Sequence, residues 1–248
     1  MNFLSTMFYG VQMDGFVKGI QGAVDSIGQK DGMFAGDNLF TFGRNLGFLE
    51  DEKFAKAWRA NSGNPQEESL VWRIAVLAWA AKSVIGRKIP GDFVECACYK
   101  GTTARVICEY TDFVSIPDRQ YYLYDLFVHD QSMIHHGFPE HGPQLYEQVK
   151  AKFADHPNVH VTQGHVPEVL AEISPEKIAF MNLDLNNAPA EIDALEVLFD
   201  RISPGGIMVL DDYGWRGYRA QKLAEDPWLA ARGYQVLELP TGQGLLFK

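Results

Sequence analysis

Asp92-Phe-Val-Glu-Cys-Ala-Cys-Tyr-Lys-Gly-Thr-Thr-Ala-Arg-Val-Ile-Cys-Glu-Tyr110 is the stretch that decides the fold class. It reads as a short apolar strand (Asp92–Cys98), a turn closed by Gly101, and a helix from Thr102 to Tyr110. The same alternation continues downstream. Strands are predicted at Tyr121–Phe127, Val159–Gln163, Ile178–Leu185, Ile207–Tyr213, Gln235–Leu239 and Leu245–Lys248. Helices are predicted at Gln144–Ala154, Pro189–Arg201 and Tyr218–Ala231. Short apolar strands separated by helices indicate a parallel sheet covered on both faces. Only Thr241-Gly-Gln-Gly244 joins the last two strands, which leaves room for a hairpin and none for a crossover helix. The expected architecture is therefore α/β: a Rossmann-like, doubly wound sheet, mostly parallel, with an antiparallel C-terminal strand. No internal repeat is apparent.

Upstream of this unit the chain changes character. Residues 1–64 are rich in glycine, and their apolar residues come in short clusters such as Phe40, Phe42, Leu46, Phe48 and Leu49. They read as a partly helical appendage, an N-terminal helical lid or an oligomerisation contact, with a homodimer the expected assembly. Asn64-Pro65 breaks the chain, and residues 65–248 form the second domain. It opens with one buried helix over Gln66–Ser83, on which Leu70, Val71, Ile74, Leu77, Ala78 and Ala81 recur at spacings of three and four. Trp58, Trp72 and Trp79 are expected in the core.

Composition narrows the function classes. The 248 residues carry a formal net charge of −10 and a sequence pI near 5.1, which disfavours nucleic acid as a partner. The longest apolar run, Leu70–Ile85, includes Arg73 and Lys82 and is too short and too charged to span a bilayer. The Met1-Asn-Phe-Leu4 start lacks the pattern of a secretory signal. Three cysteines, Cys96, Cys98 and Cys108, form no disulfide framework or zinc spacing, and a reduced cytoplasm is the expected setting.

Ligands of open α/β sheets bind outside the carboxyl ends of the strands. Acidic residues stand at four such ends: Glu95, Asp125, Asp184 and the Asp211-Asp212 pair. Any one alone reads as a helix cap. Three carboxylates, Asp184, Asp211 and Asp212, on adjacent strand ends repel unless paired, and a hard divalent cation such as Mg2+ resolves that repulsion, with Asn186 as a neutral oxygen donor. Pairing with Arg216, Arg219 or Lys222 is the bland alternative. The turn from Glu95 through Gly101, Thr102 and Thr103 suits an adenosine-bearing cofactor, because small residues let the backbone approach a ligand at a helix start. It is neither G-x-G-x-x-G nor a P-loop. Asp125, one strand later, is placed for ribose hydroxyls. All seven histidines fall between His129 and His165. His135, His136 and His141 sit in a polar loop that supplies either a general base or nothing more than a solvated surface.

The runs Glu95-Cys-Ala-Cys-Tyr-Lys-Gly-Thr-Thr-Ala104, Tyr124-Asp-Leu-Phe127, Gln163-Gly164, Leu183-Asp-Leu-Asn186, Ser203-Pro-Gly-Gly-Ile-Met-Val-Leu-Asp-Asp-Tyr-Gly214 and the C-terminal Leu239-Pro-Thr-Gly-Gln-Gly-Leu-Leu-Phe-Lys248 carry a likeness. Over about residues 36–248 the chain resembles the TylF/MycF-type O-methyltransferases, the macrocin, mycinamicin and noviose sugar enzymes. That resemblance implies a class I methyltransferase fold, S-adenosylmethionine (SAM) and Mg2+ as cofactors, and a hydroxyl of a sugar or glycosylated natural product as acceptor. It implies Asp184, Asp211 and Asp212 as metal ligands, with Asp184 a candidate base; His135 and His136 of the polar loop are the other catalytic candidates. Glu95, Ala97, Gly101, Thr102 and Thr103 would lie along the methionine end of SAM, Asp125 at the ribose, Gln163 and Gly164 at the adenine. Two departures stand out: Ala97 where glycine is common, and Asp184-Leu-Asn186-Asn187 where Asp-Gly-Asp-Leu-Tyr is frequent. A catechol-type phenol methyltransferase, a nucleotide-sugar glycosyltransferase and a SAM-binding protein without catalysis are the competing readings.

Overall fold

The computed structural model describes residues 1–129, 133 and 137–248. The chain divides into two compact units, Met1–Val76 and Leu77–Lys248.

The first unit holds β1 (Phe3–Leu4), α1 (Met13–Ser26), β2 (Phe34–Gly36), β3 (Leu39–Thr41), α2 (Gly47–Glu50), α3 (Glu52–Asn61) and α4 (Pro65–Ser69). Its three strands form a small sheet in the order β1-β2-β3, an element that the glycine-rich sequence did not announce. Asp37 and Asn38, both at positive φ, turn β2 back onto β3. Arg73 then holds the Asp37 carboxylate through Nε at 3.1 Å and Nη2 at 3.2 Å, both side chains being buried. The Phe34 ring packs edge-on against Trp72 at 4.9 Å, and Phe48 lies 5.2 Å from the same indole. Asp51 caps α3 by accepting from the amides of Lys53 and Phe54.

The helix expected over Gln66–Ser83 is two helices. Asn64 caps α4 and accepts from Glu67 N–H. Leu70 leaves the helical region with ψ near 3°, and Ser69 Oγ donates to the Gln66 carbonyl, closing the short turn. The longer helix α5 then runs Val71–Gly86.

The second unit continues with β4 (Asp92–Cys96), α6 (Thr102–Thr111), β5 (Tyr121–Asp125), α7 (Leu145–Lys152), β6 (Val159–Gln163), α8 (Glu168–Glu172), β7 (Ile178–Leu183), α9 (Ala188–Leu198), β8 (Ile202–Leu210), α10 (Arg219–Ala230), β9 (Leu237–Glu238) and β10 (Gly244–Phe247). The strands form a seven-stranded sheet in the order β6-β5-β4-β7-β8-β10-β9. The first five listed strands pair in parallel, while β10 runs antiparallel to both β8 and β9. The doubly wound sheet with an antiparallel C-terminal hairpin is thus the observed one. The chain winds from β4 outward to β6, then returns to the other side of β4 with β7, so the switch point falls between β4 and β7.

Strand β8 begins at Ile202, five residues before the expected start. Pro204-Gly205-Gly206, which precedes the expected strand, forms a bulge here, with a register shift against β7. Gly205 takes φ +83°, and a Cβ on Gly206 would stand 2.7 Å from the Ile202 side chain. A core cluster of Val94, Met181, Leu183, Leu195, Leu198, Met208, Leu210 and Leu246 joins the sheet to α9 and its neighbours. Trp58 is buried, but Trp79 is half exposed, its ring 6.5 Å from Phe247, so it does not share the core role expected of it.

Candidate active site

The four acidic strand ends belong to four neighbouring strands, β5, β4, β7 and β8. Backbone bonds carry the sheet register one residue past the strands: Ala97 N–H to Tyr124 O (2.8 Å), Asp184 N–H to Cys96 O (3.2 Å) and Asp211 N–H to Leu183 O (2.9 Å). Asp184 and Asp211 therefore lie level on one rim, at the switch point.

Asp184, Asp211 and Asp212 converge. One carboxylate oxygen of each lies within 4.8 Å of the others. Asp211 and Asp212 are buried, whereas Asp184 is partly open. Gln243, wholly buried in the β9–β10 turn, donates from Nε2 to Asp211 Oδ1 at 2.8 Å and accepts from Thr241 Oγ1 at 3.0 Å. Asn186, at φ +55°, donates from Nδ2 to Asp184 Oδ1 at 3.3 Å. Its own Oδ1 is buried with no hydrogen-bond partner among the described residues. Three clustered carboxylates with an unsatisfied amide oxygen beside them make an oxygen-rich donor set that fits a hard divalent cation.

Glu95 sits at the penultimate position of β4 with its carboxyl buried. Tyr121 Oη donates to it at 2.7 Å. Burial, opposed by that hydrogen bond and reinforced by Asp211 and Asp125, pushes its pKa up to about 8. Glu95 is thus mostly a neutral acid near pH 7, buried rather than in open solvent.

The turn after β4 places Ala97, Tyr99 and Gly101 at φ +66°, +48° and +66°. Ala97 adopts a conformation that an L-residue resists and glycine does not. Gly101 precedes α6, and a Cβ there would meet the Phe153 ring at 2.8 Å. Thr102 and Thr103 open that helix, half buried. Asp125 is drawn into the same turn: Oδ2 accepts from Tyr99 N–H at 2.7 Å and Oδ1 from Phe127 N–H at 2.6 Å. Gly164 N–H donates to the Asp125 carbonyl at 3.1 Å, and Gln163 Nε2 to the Leu126 carbonyl at 2.8 Å. The cofactor-site candidates of β4, β5 and β6 thereby form one hydrogen-bonded rim.

The buried cysteines belong to the core chemistry only. Burial pushes the Cys96, Cys98 and Cys108 thiols far above their ordinary value, which leaves them un-ionised and inert as nucleophiles.

His135 and His136, both catalytic candidates by sequence, lie outside the described residues. His141 lies within them: its ring stacks 5.9 Å from His129 and stands edge-on 5.1 Å from Tyr99. Tyr99 Oη also donates to Glu140, and Lys100 pairs with Glu140 at 3.3 Å. Glu140 and His141 are thereby fastened to the turn after β4. Sequence reading missed Gln243, Tyr99 and Tyr121. The strongest available signal was Gln243 itself, an amide among glycines in a tight hairpin.

The profile of the macrocin-O-methyltransferase (TylF) family matches residues 71–226, more than half of the chain. The chain belongs to the TylF family. It is 28% identical over 162 residues to an 8-demethyl-8-(2,3-dimethoxy-alpha-L-rhamnosyl)-tetracenomycin-C 4'-O-methyltransferase of Streptomyces olivaceus. That match covers 57% of this chain and 60% of the relative. The O-methyltransferase NovP superimposes with a TM-score of 0.64 at 18% identity, over 75% of this chain and 83% of that one. The SAH-bound Podospora anserina methyltransferase PaMTH1 gives 0.57 at 13% identity, over 98% and 99%. These two likenesses show the class I methyltransferase fold of this TylF-family chain. Among its described residues, no helix is long and apolar enough to cross a membrane.

Proposed function

We propose that the chain is a divalent-cation-dependent O-methyltransferase that moves a methyl group from SAM to a hydroxyl of a sugar or glycosylated natural product. The observation that carries this reading is the convergence of Asp184, Asp211 and Asp212 at the switch point of a TylF-family sheet. The rhamnosyl-tetracenomycin specificity of the Streptomyces relative supports a sugar acceptor.

In this reading Asp184, Asp211 and Asp212 hold the cation, and Asn186 offers a neutral oxygen. When bound, the cation supplies Lewis-acid polarisation of the acceptor hydroxyl, and SAM supplies an electrophilic methyl group. Gln243 keeps Asp211 oriented toward the cluster. Asp125, Glu95 and the turn through Ala97 and Gly101 orient the cofactor. Asp184, or a histidine of the loop before His141, accepts the proton that leaves the acceptor hydroxyl. Orienting the hydroxyl in line with the methyl–sulfur bond is the main catalytic contribution of such a site.

Calorimetric titration with S-adenosylhomocysteine, in Mg2+ and again in EDTA, tests the class. Micromolar-range binding is expected. Absence of binding in both buffers, with UDP or dTDP binding instead, sinks the reading in favour of a glycosyltransferase. For the cation, Asp184→Asn and Asp211→Asn are expected to lower methyl transfer at least about 100-fold, since both act as direct ligands. Cofactor affinity should stay within a few-fold.

A further inference from the structure

Asp184 is carried by a four-residue connection, Asp184–Asn187, between β7 and α9. Asn187 caps α9 by accepting from Ala190 N–H at 3.3 Å. The connection is also held from beneath. Glu191, 1% exposed on the first turns of α9, accepts the Leu185 N–H at its Oε1 (3.2 Å). The same oxygen accepts from Gln221 Nε2 of α10 at 2.5 Å. Glu225, one turn further along α10 and equally buried, places its carboxyl against that of Glu191.

Two carboxyls and an amide from two helices thus meet behind the residue that follows Asp184. A buried acidic pair in an apolar interior is costly to keep. Aliphatic side chains would fill the α9–α10 interface with no such penalty. The hydrogen bond to Leu185 N–H is the link by which this group reaches the rim. Leu185 is adjacent to Asp184 and precedes Asn186, whose side chain donates to the Asp184 carboxylate. Side chains that orient metal-ligating carboxylates from behind typically change metal affinity or activity about 10- to 100-fold when removed.

We propose that Glu191 is a positioning residue for Asp184: braced by Gln221 and Glu225 of α10, it holds the Leu185 amide and so sets where the Asp184 carboxylate is presented. The proposal rests on the reading of Asp184 as a cation ligand. Glu191 does not touch substrate or cofactor; it acts through the Leu185 amide.

The test is Mn2+ binding to the full chain, followed by electron paramagnetic resonance, alongside S-adenosylhomocysteine affinity and melting temperature. Four variants are compared: Glu191→Gln, Glu191→Leu, Gln221→Met and Asp184→Asn. Glutamine keeps an acceptor for Leu185 N–H, so Glu191→Gln should hold Mn2+ affinity within about threefold of the parent. Glu191→Leu removes the acceptor and should weaken Mn2+ about 10- to 100-fold. Its S-adenosylhomocysteine affinity should change less than about threefold. Gln221→Met is the milder variant should the leucine protein not fold, and it should shift Mn2+ affinity the same way by a smaller factor.

Unchanged Mn2+ affinity in folded Glu191→Leu and Gln221→Met overturns the proposal and leaves a structural role. So does a loss in Glu191→Gln as large as in Glu191→Leu. Asp184→Asn separates the two claims. If it binds Mn2+ like the parent, the reading of Asp184 as ligand fails, and the positioning proposal falls with it. If it loses Mn2+ while the Glu191 variants keep it, only the positioning proposal fails.

Discussion

Gln243 Nε2 reaches Asp211 Oδ1 at 2.8 Å, across 32 residues of chain, and it does so from inside the antiparallel hairpin that closes the sheet. The C-terminal strands therefore complete the acidic cluster as well as the sheet. Replacing Gln243 by Leu removes the donor to Asp211 and the acceptor of Thr241 Oγ1. The expected cost is about 1–3 kcal/mol of stability for disrupted buried hydrogen bonds. Mn2+ affinity should fall roughly 10- to 100-fold. Chemical denaturation and metal titration check the two effects separately, and an unaltered metal affinity would rule out an orienting role.

Ala97 adopts φ +66° where glycine would be unstrained. A left-handed conformation costs an L-residue about 1–2 kcal/mol, whereas glycine gives back about 0.5–1 kcal/mol in chain entropy. Ala97→Gly should therefore raise stability by up to about 1 kcal/mol, a melting shift of roughly 2–4 °C for a chain of this size. Ala97→Val should lower it. Calorimetric melting of both variants gives the answer; stabilisation by valine would show that the turn relaxes out of the left-handed region.

Gly101 carries two constraints, φ +66° and a Cβ position 2.8 Å from the Phe153 ring. Gly101→Ala should cost about 1–3 kcal/mol, through strain and overpacking. It should also weaken S-adenosylhomocysteine binding, because Phe153 cannot stay in place without moving the start of α6. Trimming the ring in Gly101→Ala/Phe153→Leu should recover part of the stability and none of the φ penalty.

The pH dependence of stability has a definite sign. Burial, together with its acidic neighbours, raises Glu95 to about 8. Burial raises Glu225 to about 7, and burial with the Glu225 carboxylate beside it raises Glu191 well above its ordinary value. In each case the folded chain holds a proton that the unfolded chain has released above pH ~4.5. Their stabilising contribution is therefore complete below that pH and is lost as pH rises, through about 7 for Glu225 and about 8 for Glu95. Each group contributes a slope of about 1.4 kcal/mol per pH unit while its folded form stays protonated. Asp155 works the opposite way: hydrogen bonds from Arg105 and His156 lower its pKa, so that its contribution is lost only in acid. Metal-free and cofactor-free protein should thus denature more easily at pH 8 than at pH 6, and Glu95→Gln should flatten the profile. A profile that is flat in the parent would mean that these carboxyls are ionised in the folded chain.

Much of the candidate site is legible in the sequence alone. Asp184, Asp211 and Asp212 stand at the ends of strands that alternate with helices, and strand ends in such a sheet face one rim. The glycine and threonines of the first turn were legible for the same reason. What escaped notice depends on partners far away in sequence: Gln243 beneath Asp211, Tyr121 on Glu95, and the Glu191–Gln221–Glu225 group behind Leu185. The short β1–β3 sheet and the break at Leu70 also escaped, because two- and three-residue strands carry no measurable period and a single residue with ψ near 0° leaves the helical apolar spacing intact.

The sequence by itself determined the alternation of strands and helices, the antiparallel hairpin forced by a four-residue connection, and the acids at the strand ends. These follow from side-chain period and loop length, which are local properties of the chain. Tertiary structure alone decided that β7 returns beside β4, that Gln243 comes to lie on Asp211, and that Glu191 meets α10. Such contacts are set by the order in which strands pair and by which helix faces pack together. They therefore depend on the burial of the whole core rather than on any one segment.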